Sequence, residues 1–227
     1  LYAGQEIPVS PNILFNIGKS ASDSCTFAVE ICEDLWTPVP PSSWHTLAGA
    51  ELIVNLSASN EVLMKHTYRR DLTANQSART ISGYIYCSSA YGESTQDMVY
   101  AGSSLIYENG ARLAEAERFK CKGSMIFADI DVEKLRTRRQ KETTFEAVAP
   151  DGTDSSAFNP LYQIVEGLAA ADTDFEKELL RPVEPHPFVP SGDEKEIDRR
   201  AREITSIQVS GLATRLEHIK CSSAVIG

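Results

Sequence analysis

No run in this chain approaches the roughly 20 consecutive apolar residues needed to cross a bilayer, and its first residues show no basic stretch followed by an apolar one. Neither a membrane anchor nor a secretory leader is expected. Positive charge is also in short supply: 22 Lys and Arg stand against 32 Asp and Glu, a net charge of −10. That balance disfavours nucleic acid or an anionic membrane as the main partner. CxxC pairs are missing as well. The five cysteines, Cys25, Cys32, Cys87, Cys121 and Cys221, are scattered and odd in number. Such usage argues against a disulfide framework or a zinc site, and it fits free thiols in a reducing, cytoplasmic compartment. No metal site is expected.

What is present is an ordinary globular composition. With 227 residues, 42% of them apolar, the chain has material for one large domain, or for one domain plus part of another. Short β-rich runs alternate with helical ones. Cys25 to Ile31 reads as a strand, Ser42 to Gly49 as a helix with a serine cap after prolines, and Glu51 to Leu56 as a second buried strand. Glu61 to Ile81 carries Val62, Leu63, Tyr68, Leu72, Ala78 and Ile81 among charges, the pattern of a long helix covering a sheet. Tyr84 to Ser89, Ser103 to Tyr107 and Ser124 to Ile130 read as further strands. Glu108-Asn109-Gly110 signals a hairpin, because Asn-Gly readily takes positive φ. The mixture implies an α/β fold with parallel strands and an antiparallel extension.

One segment stands out for chemistry. Phe27-Ala28-Val29-Glu30-Ile31-Cys32-Glu33-Asp34-Leu35-Trp36 puts a cysteine and two acids directly after an apolar run, and Pro38-Val39-Pro40-Pro41 stops the element behind it. A thiol at a strand tip is where an acyl-transfer nucleophile meets a base and oxyanion donors. The other reading makes Cys32 a small core residue that closes a strand.

Past residue 135 the character changes. Arg136, Arg138, Arg139 and Lys141 give way to Asp151-Gly152-Thr153-Asp154-Ser155-Ser156, too polar to build a core, so 146–192 reads as a connector or an arm on a partner. A second proline-rich stretch from Arg181 to Pro190 marks a boundary. Beyond it, Ser191 or Asp193 is placed to cap a charged helix from about Glu194 to Ile219, with Ile204, Ile207, Val209, Leu212 and Leu216 on one face. Ala224 to Gly227 then reads as the start of a buried strand. The chain is expected to be a fragment, divided as 1–145, 146–192 and 193–227.

Val29-Glu30-Ile31-Cys32-Glu33-Asp34-Leu35-Trp36, Pro40-Pro41-Ser42, Asn55-Leu56-Ser57-Ala58-Ser59, Tyr68-Arg69-Arg70, Gln76-Ser77-Ala78-Arg79 and Gly92-Glu93-Ser94-Thr95 occur in that order. So arranged, they resemble the glutaminase domains of the glutamine-dependent NAD synthetases, within the nitrilase (carbon–nitrogen hydrolase) superfamily. In the tail, His186 to Pro190, Ile207 to Leu212 and Ala224 to Gly227 resemble the connector and the first helix and strand of those enzymes' Rossmann-like synthetase domain. The resemblance implies a four-layer αββα sandwich, incomplete at its N-terminus, and a Glu-Lys-Cys triad in which Cys32 attacks the side-chain amide of glutamine. It places the triad's glutamate and lysine upstream of residue 1. Lys19, in a turn, and Glu6 and Glu30 do not match those positions, so the fragment is expected to be inactive alone.

The same resemblance implies that Ser59 and Lys65 bind the glutamine and that Glu33 lines the pocket. Read without it, Ser59 is equally a helix N-cap and Lys65 an exposed helical side chain. Arg69, Arg70, Arg79 and Asp97 read as ion pairs between layers or subunits. The partners implied are L-glutamine, deamido-NAD and a second copy of the chain in a homo-oligomer. ATP and Mg2+ are the cofactors of the synthetase domain, with none expected in the fragment itself. A free-standing amidase with the same cysteine chemistry and a non-catalytic homologue are the other classes in play.

Overall fold

A computed structural model of the chain describes residues 4, 6–7, 9–18, 24–94, 97–146, 162–168, 178–181, 183–189 and 192–225. Lys19 and the polar stretch 151–156 lie outside these. The chain divides into two compact units, up to Arg181 and from Pro182 onward.

The first unit is built on one mixed sheet of seven strands: β1 (Ile13–Ile17), β2 (Cys25–Ile31), β3 (Leu52–Ser57), β4 (Gly83–Ser88), β5 (Ser104–Glu108), β6 (Ala111–Glu115) and β7 (Gln163–Leu168). Their spatial order is β6-β5-β4-β3-β2-β1-β7. The central β2, β3 and β4 are parallel, and β5, β6 and β1 are added antiparallel. The hairpin forms where Asn-Gly signalled it, with Asn109 at φ 45 and Gly110 at φ 84. These are the two positive values that match the twist of a tight β-hairpin.

Alternation along the strands sorts the sheet's two faces. Ala28 and Glu30 of β2, Ile53, Asn55 and Ser57 of β3, and Tyr84 and Tyr86 of β4 are buried, together with Leu14, Leu105 and Tyr107. Leu72 and Ala74 of the long helix pack onto this core. Burying each large side chain there contributes on the order of 1.5–3 kcal/mol. The alternate positions are less covered: Ile31 is 64% and Leu56 52% exposed, and Cys87 is exposed. A four-layer sandwich needs a second sheet on that side, and the described residues hold one sheet only.

Among the described residues, the helices of this unit are α1 (Pro41–Leu47), α2 (Lys65–Arg79), α3 (Val132–Lys141) and the single turn α4 (Thr143–Glu146). No serine caps α1. It starts at Pro40, with Pro41 in the first turn, where a missing N–H is harmless. The N–H of Ser42 is received by Glu30 Oε2 at 2.9 Å. Helix α2 begins four residues later than the periodicity suggests. Glu61 is held as loop by its N–H on the Val99 carbonyl (2.8 Å) and its carboxylate on Arg69 (2.7 Å), and Met64 turns left-handed at φ 67.

Residues 124–130 form no strand: Met125 and Phe127 face solvent, and apolar spacing alone supplies no neighbour to pair with. Conversely, Gln163–Leu168, within the span read as connector, runs parallel to β1. Helix α3 braces the end of the sheet where β2, β3 and β4 begin. Arg136 reaches Glu51 and the Ser24 carbonyl (2.6 Å), and Arg139 reaches the carbonyls of Ala50 (2.8 Å), Ile81 (3.0 Å) and Thr80 (3.2 Å). Burial pulls the Arg139 guanidinium down to about 10, against the opposing pull of Glu51.

Among its described residues the second unit holds one helix, α5 (Glu194–His218), capped by Asp193, whose side chain accepts the Glu196 N–H at 2.9 Å. Glu196 binds Arg199 and Arg200 along its outer turn. Residues 221–225 come after it without strand structure, and Ile226 and Gly227 lie outside the described residues.

Candidate active site

Strand β2 ends at Ile31, and the next residue, Cys32, opens a tight 3-10 turn running to Trp36. Its φ of 48 puts a side chain where L-residues are strained, at a cost of about 1–2 kcal/mol. Such a turn lifts the side chain off the strand line toward the sheet's end. The end in question is the one away from α3, where parallel strands leave a crevice at their carboxyl termini. A cavity of about 400 Å³ opens there, lined by Ile31, Cys32, Leu56, Ser57, Ala58, Cys87, Ser88, Ser89 and Glu93. Cys32 is therefore no sealed core thiol: it is half-buried, free and on a cavity wall.

The parts around it are held by hydrogen bonds. Ser57 Oγ donates to Asn55 Oδ1 at 2.7 Å, and the Ser89 N–H donates to the Ser57 carbonyl at 2.9 Å. Glu30 lies 1% exposed below the turn. Its carboxyl group receives the Ser42 N–H, the Tyr84 hydroxyl and, at 3.4 Å, Asn55 Nδ2. These contacts make Glu30 an anchor for the start of α1, with no contact to the thiol. Burial, with Glu30 beside it, pushes the Tyr84 phenol well above its usual value.

The residues expected to bind substrate sit apart from this cavity. Ser59 is buried, and its hydroxyl accepts from Arg69 Nη2 at 3.3 Å. It caps no helix, since α2 starts at Lys65. Lys65 donates to Asn60 Oδ1 at 3.0 Å, and Glu33 lies exposed on the turn. Among the described residues none of the three lines the cavity that holds Cys32. Arg69 is fully buried against Glu61 and over the Tyr86 ring, and Arg70 lies 3.7 Å from Glu115. Arg79 bonds Asn75, while Asp97 is an exposed loop residue.

No local sequence pattern marks Cys87, Ser88 and Ser89 as site residues. The signal that finds them is register: Ile31, Leu56 and Cys87 are successive partners across β2, β3 and β4. Strand ends that are aligned in this way share one mouth. No group of three or more His, Cys, Asp or Glu placed to hold a metal ion occurs among the described residues.

Comparison with known proteins gives the chain its relatives. Over 226 residues it is 37% identical to the glutamine-dependent NAD(+) synthetase of Mycobacterium tuberculosis, an alignment covering 99% of this chain and 32% of that protein. The chain is homologous to one segment of the glutamine-dependent NAD(+) synthetases. The synthetase of Mycobacterium leprae matches at 37% over 222 residues, 97% of this chain and 31% of its own length. The chain thus spans about a third of the NAD(+) synthetases it matches. Among solved structures, a carbon-nitrogen hydrolase from Helicobacter pylori superposes with a TM-score of 0.48 at 18% identity, over 56% of this chain and 47% of that one. No family model matches. Among the described residues no helix is long and apolar enough to cross a membrane.

Proposed function

We propose that this chain is the cysteine-bearing part of a nitrilase-type glutaminase that feeds ammonia to NAD synthesis. The observation that carries the proposal is Cys32 itself. It is a free thiol at a left-handed turn on the wall of a cavity lined by serines, in a chain homologous to glutamine-dependent NAD(+) synthetases along nearly its whole length.

The chemistry suits a thiol. The Cys32 sulfur, as thiolate, attacks the side-chain amide carbon of glutamine, and the tetrahedral intermediate expels ammonia, which takes up the thiol's proton. Water then cleaves the γ-glutamyl thioester, giving glutamate and the free thiol. Two acyl transfers replace one direct attack of water on an amide. The general base and the oxyanion-stabilising lysine of this scheme are assigned to parts of a longer protein. Glu30 is committed to Ser42, Tyr84 and Asn55 and is not offered for the role.

Ser59, Lys65 and Glu33 remain proposed glutamine-binding residues, reached if substrate extends from the Cys32 cavity past Ala58. The αββα arrangement, deamido-NAD as acceptor and homo-oligomeric assembly belong to the same reading. So does a cytoplasmic setting, in keeping with five free thiols. Among the described residues ATP and Mg2+ find no matching donor set. The N-terminus of α5 carries Asp193, Glu194 and Glu196, an acidic end unsuited to phosphate, so adenylation is assigned to a synthetase domain elsewhere and no step is routed through it here.

The test is release of glutamate and ammonia from glutamine by the complete gene product and by Cys32→Ala, with ATP and deamido-NAD supplied and then withheld. Hydrolysis lost with Cys32, and NAD formed only when both cosubstrates are present, is expected. Hydrolysis of simple amides without NAD formation would move the protein to the free-standing amidases.

A further inference from the structure

The strained turn at Cys32 raises the question of what holds it. The ladder between β1 and β2 pairs only Cys25, Thr26 and Phe27, so β1 offers nothing to the N–H of Ile31, the residue directly before the thiol. That N–H donates instead to Asp34 Oδ2 at 2.7 Å. The backbone carbonyl of Asp34 accepts the Thr37 hydroxyl at 2.8 Å and the Thr37 N–H at 3.4 Å. One end of Asp34 is therefore tied to the strand that enters the turn and the other to the chain that leaves it. Cys32 lies inside the loop so closed, at φ 48. The residue after Asp34, Leu35, is 2% exposed and fixes the turn to the core.

A charge-assisted bond to a backbone N–H is about twice as strong as a neutral one. It is enough to offset the strain by which a non-glycine residue resists the left-handed region.

We infer that Asp34 is the positioning residue of the site: its carboxylate, bonded to the Ile31 N–H, holds Cys32 in the left-handed conformation that aims the thiol into the cavity. The inference rests on the reading of Cys32 as nucleophile. It assigns Asp34 no contact with substrate. Misplacing a reacting atom by about 1 Å lowers rate on the order of 100-fold while leaving affinity for substrate nearly untouched.

Two measurements on the complete gene product test this. In the first, Asp34→Ala is expected to lower kcat for glutamine hydrolysis roughly 10- to 100-fold with KM within about threefold. Asp34→Asn, which loses the charge but keeps an acceptor oxygen, is expected to recover most of that rate. The second is a urea-unfolding cycle over Asp34→Ala and Cys32→Gly. Glycine takes positive φ freely, so the unfolding midpoint should fall clearly on Asp34→Ala when residue 32 is Cys and much less when it is Gly. Should Asp34→Ala fail to fold with Cys32 in place, folding restored by Cys32→Gly supports the inference, and failure in both backgrounds overturns it. It is equally overturned by a folded Asp34→Ala protein with unchanged kcat, or by a midpoint shift that is the same in both backgrounds. Hydrolysis surviving Cys32→Ala would instead remove Cys32 as the nucleophile, and the unfolding cycle would still decide whether Asp34 holds the turn.

Discussion

Glu30 and Cys32 sit two residues apart on and just past one strand, yet they do unrelated work. Strand β2 turns Glu30 into the helix-covered side of the sheet, where its carboxyl group ends on Ser42, Tyr84 and Asn55. Glu30→Ala leaves a buried N–H and a buried phenol without an acceptor. It should lower stability by about 2–4 kcal/mol in urea unfolding, with Glu30→Gln costing less. Cys32 is legible in the sequence because an apolar run stopping at Cys-Glu-Asp before prolines is a local pattern. The duty of Asp34 is not, because it depends on where the β1 ladder ends, and that is fixed by pairing between distant segments. His45 adds a pH signature of its own. It is 2% exposed with Nδ1 on the Tyr162 hydroxyl at 2.9 Å, and burial lowers its imidazole to about 4, against the opposing charge of Asp34. Below pH 6.5 the unfolded chain takes up a proton that the native state refuses. Stability therefore falls as pH drops from 6.5 to 4, by at most about 1.4 kcal/mol per pH unit, and this loss levels off below 4. His45→Gln should flatten that part of a stability–pH curve measured by chemical denaturation.

Strands β2, β3, β4 and the β5–β6 hairpin are readable from apolar runs and Asn109-Gly110, since each carries its own turn signals. Strands β1 and β7 are not: they meet across a long sequence separation, where Asn16 Nδ2 reaches Glu166 at 2.9 Å, and no local pattern announces such a pairing. The expected strand at 124–130 fails for the complementary reason, having the spacing without a neighbour. Beyond residue 130 the chain is fastened by charge. Glu108, at the end of β5, is 1% exposed and gathers the Asp131 N–H (2.7 Å), Lys134 Nζ (2.8 Å) and Arg181 Nη1 (2.6 Å). Burial pushes its carboxyl up, but the hydrogen bonds from Arg181, Lys134 and Asp131 outweigh it and bring it to about 2. The lowered value means that stability from this cluster is complete above the ordinary carboxyl value of 4.5 and is lost as pH falls from there through 2. Glu108→Gln should remove that second, more acidic loss while leaving the His45 loss in place, which a pair of stability–pH curves would resolve. It should also lower neutral-pH stability by about 2–3 kcal/mol, since two cations lose their buried partner.

Across the first unit, one end of the sheet is tied down and the other is open. Arg136 and Arg139 of α3 secure the beginnings of the parallel strands, and the cavity with Cys32, Cys87 and three serines lies at their ends. That division is a consequence of parallel β2, β3 and β4, whose carboxyl ends all emerge on the same side. It also sets a sharp competitor, because Cys87 shares the cavity with Cys32. Rapid quenching of the complete gene product with glutamine, then mass spectrometry of its cysteine peptides, separates the two thiols. A γ-glutamyl adduct on the peptide carrying Cys32, absent from the Cys87 peptide and absent in Cys32→Ala, is the expected result. Glutamine turnover with the adduct on Cys87, or with no adduct on Cys32, would contradict the assignment of Cys32 as the nucleophile.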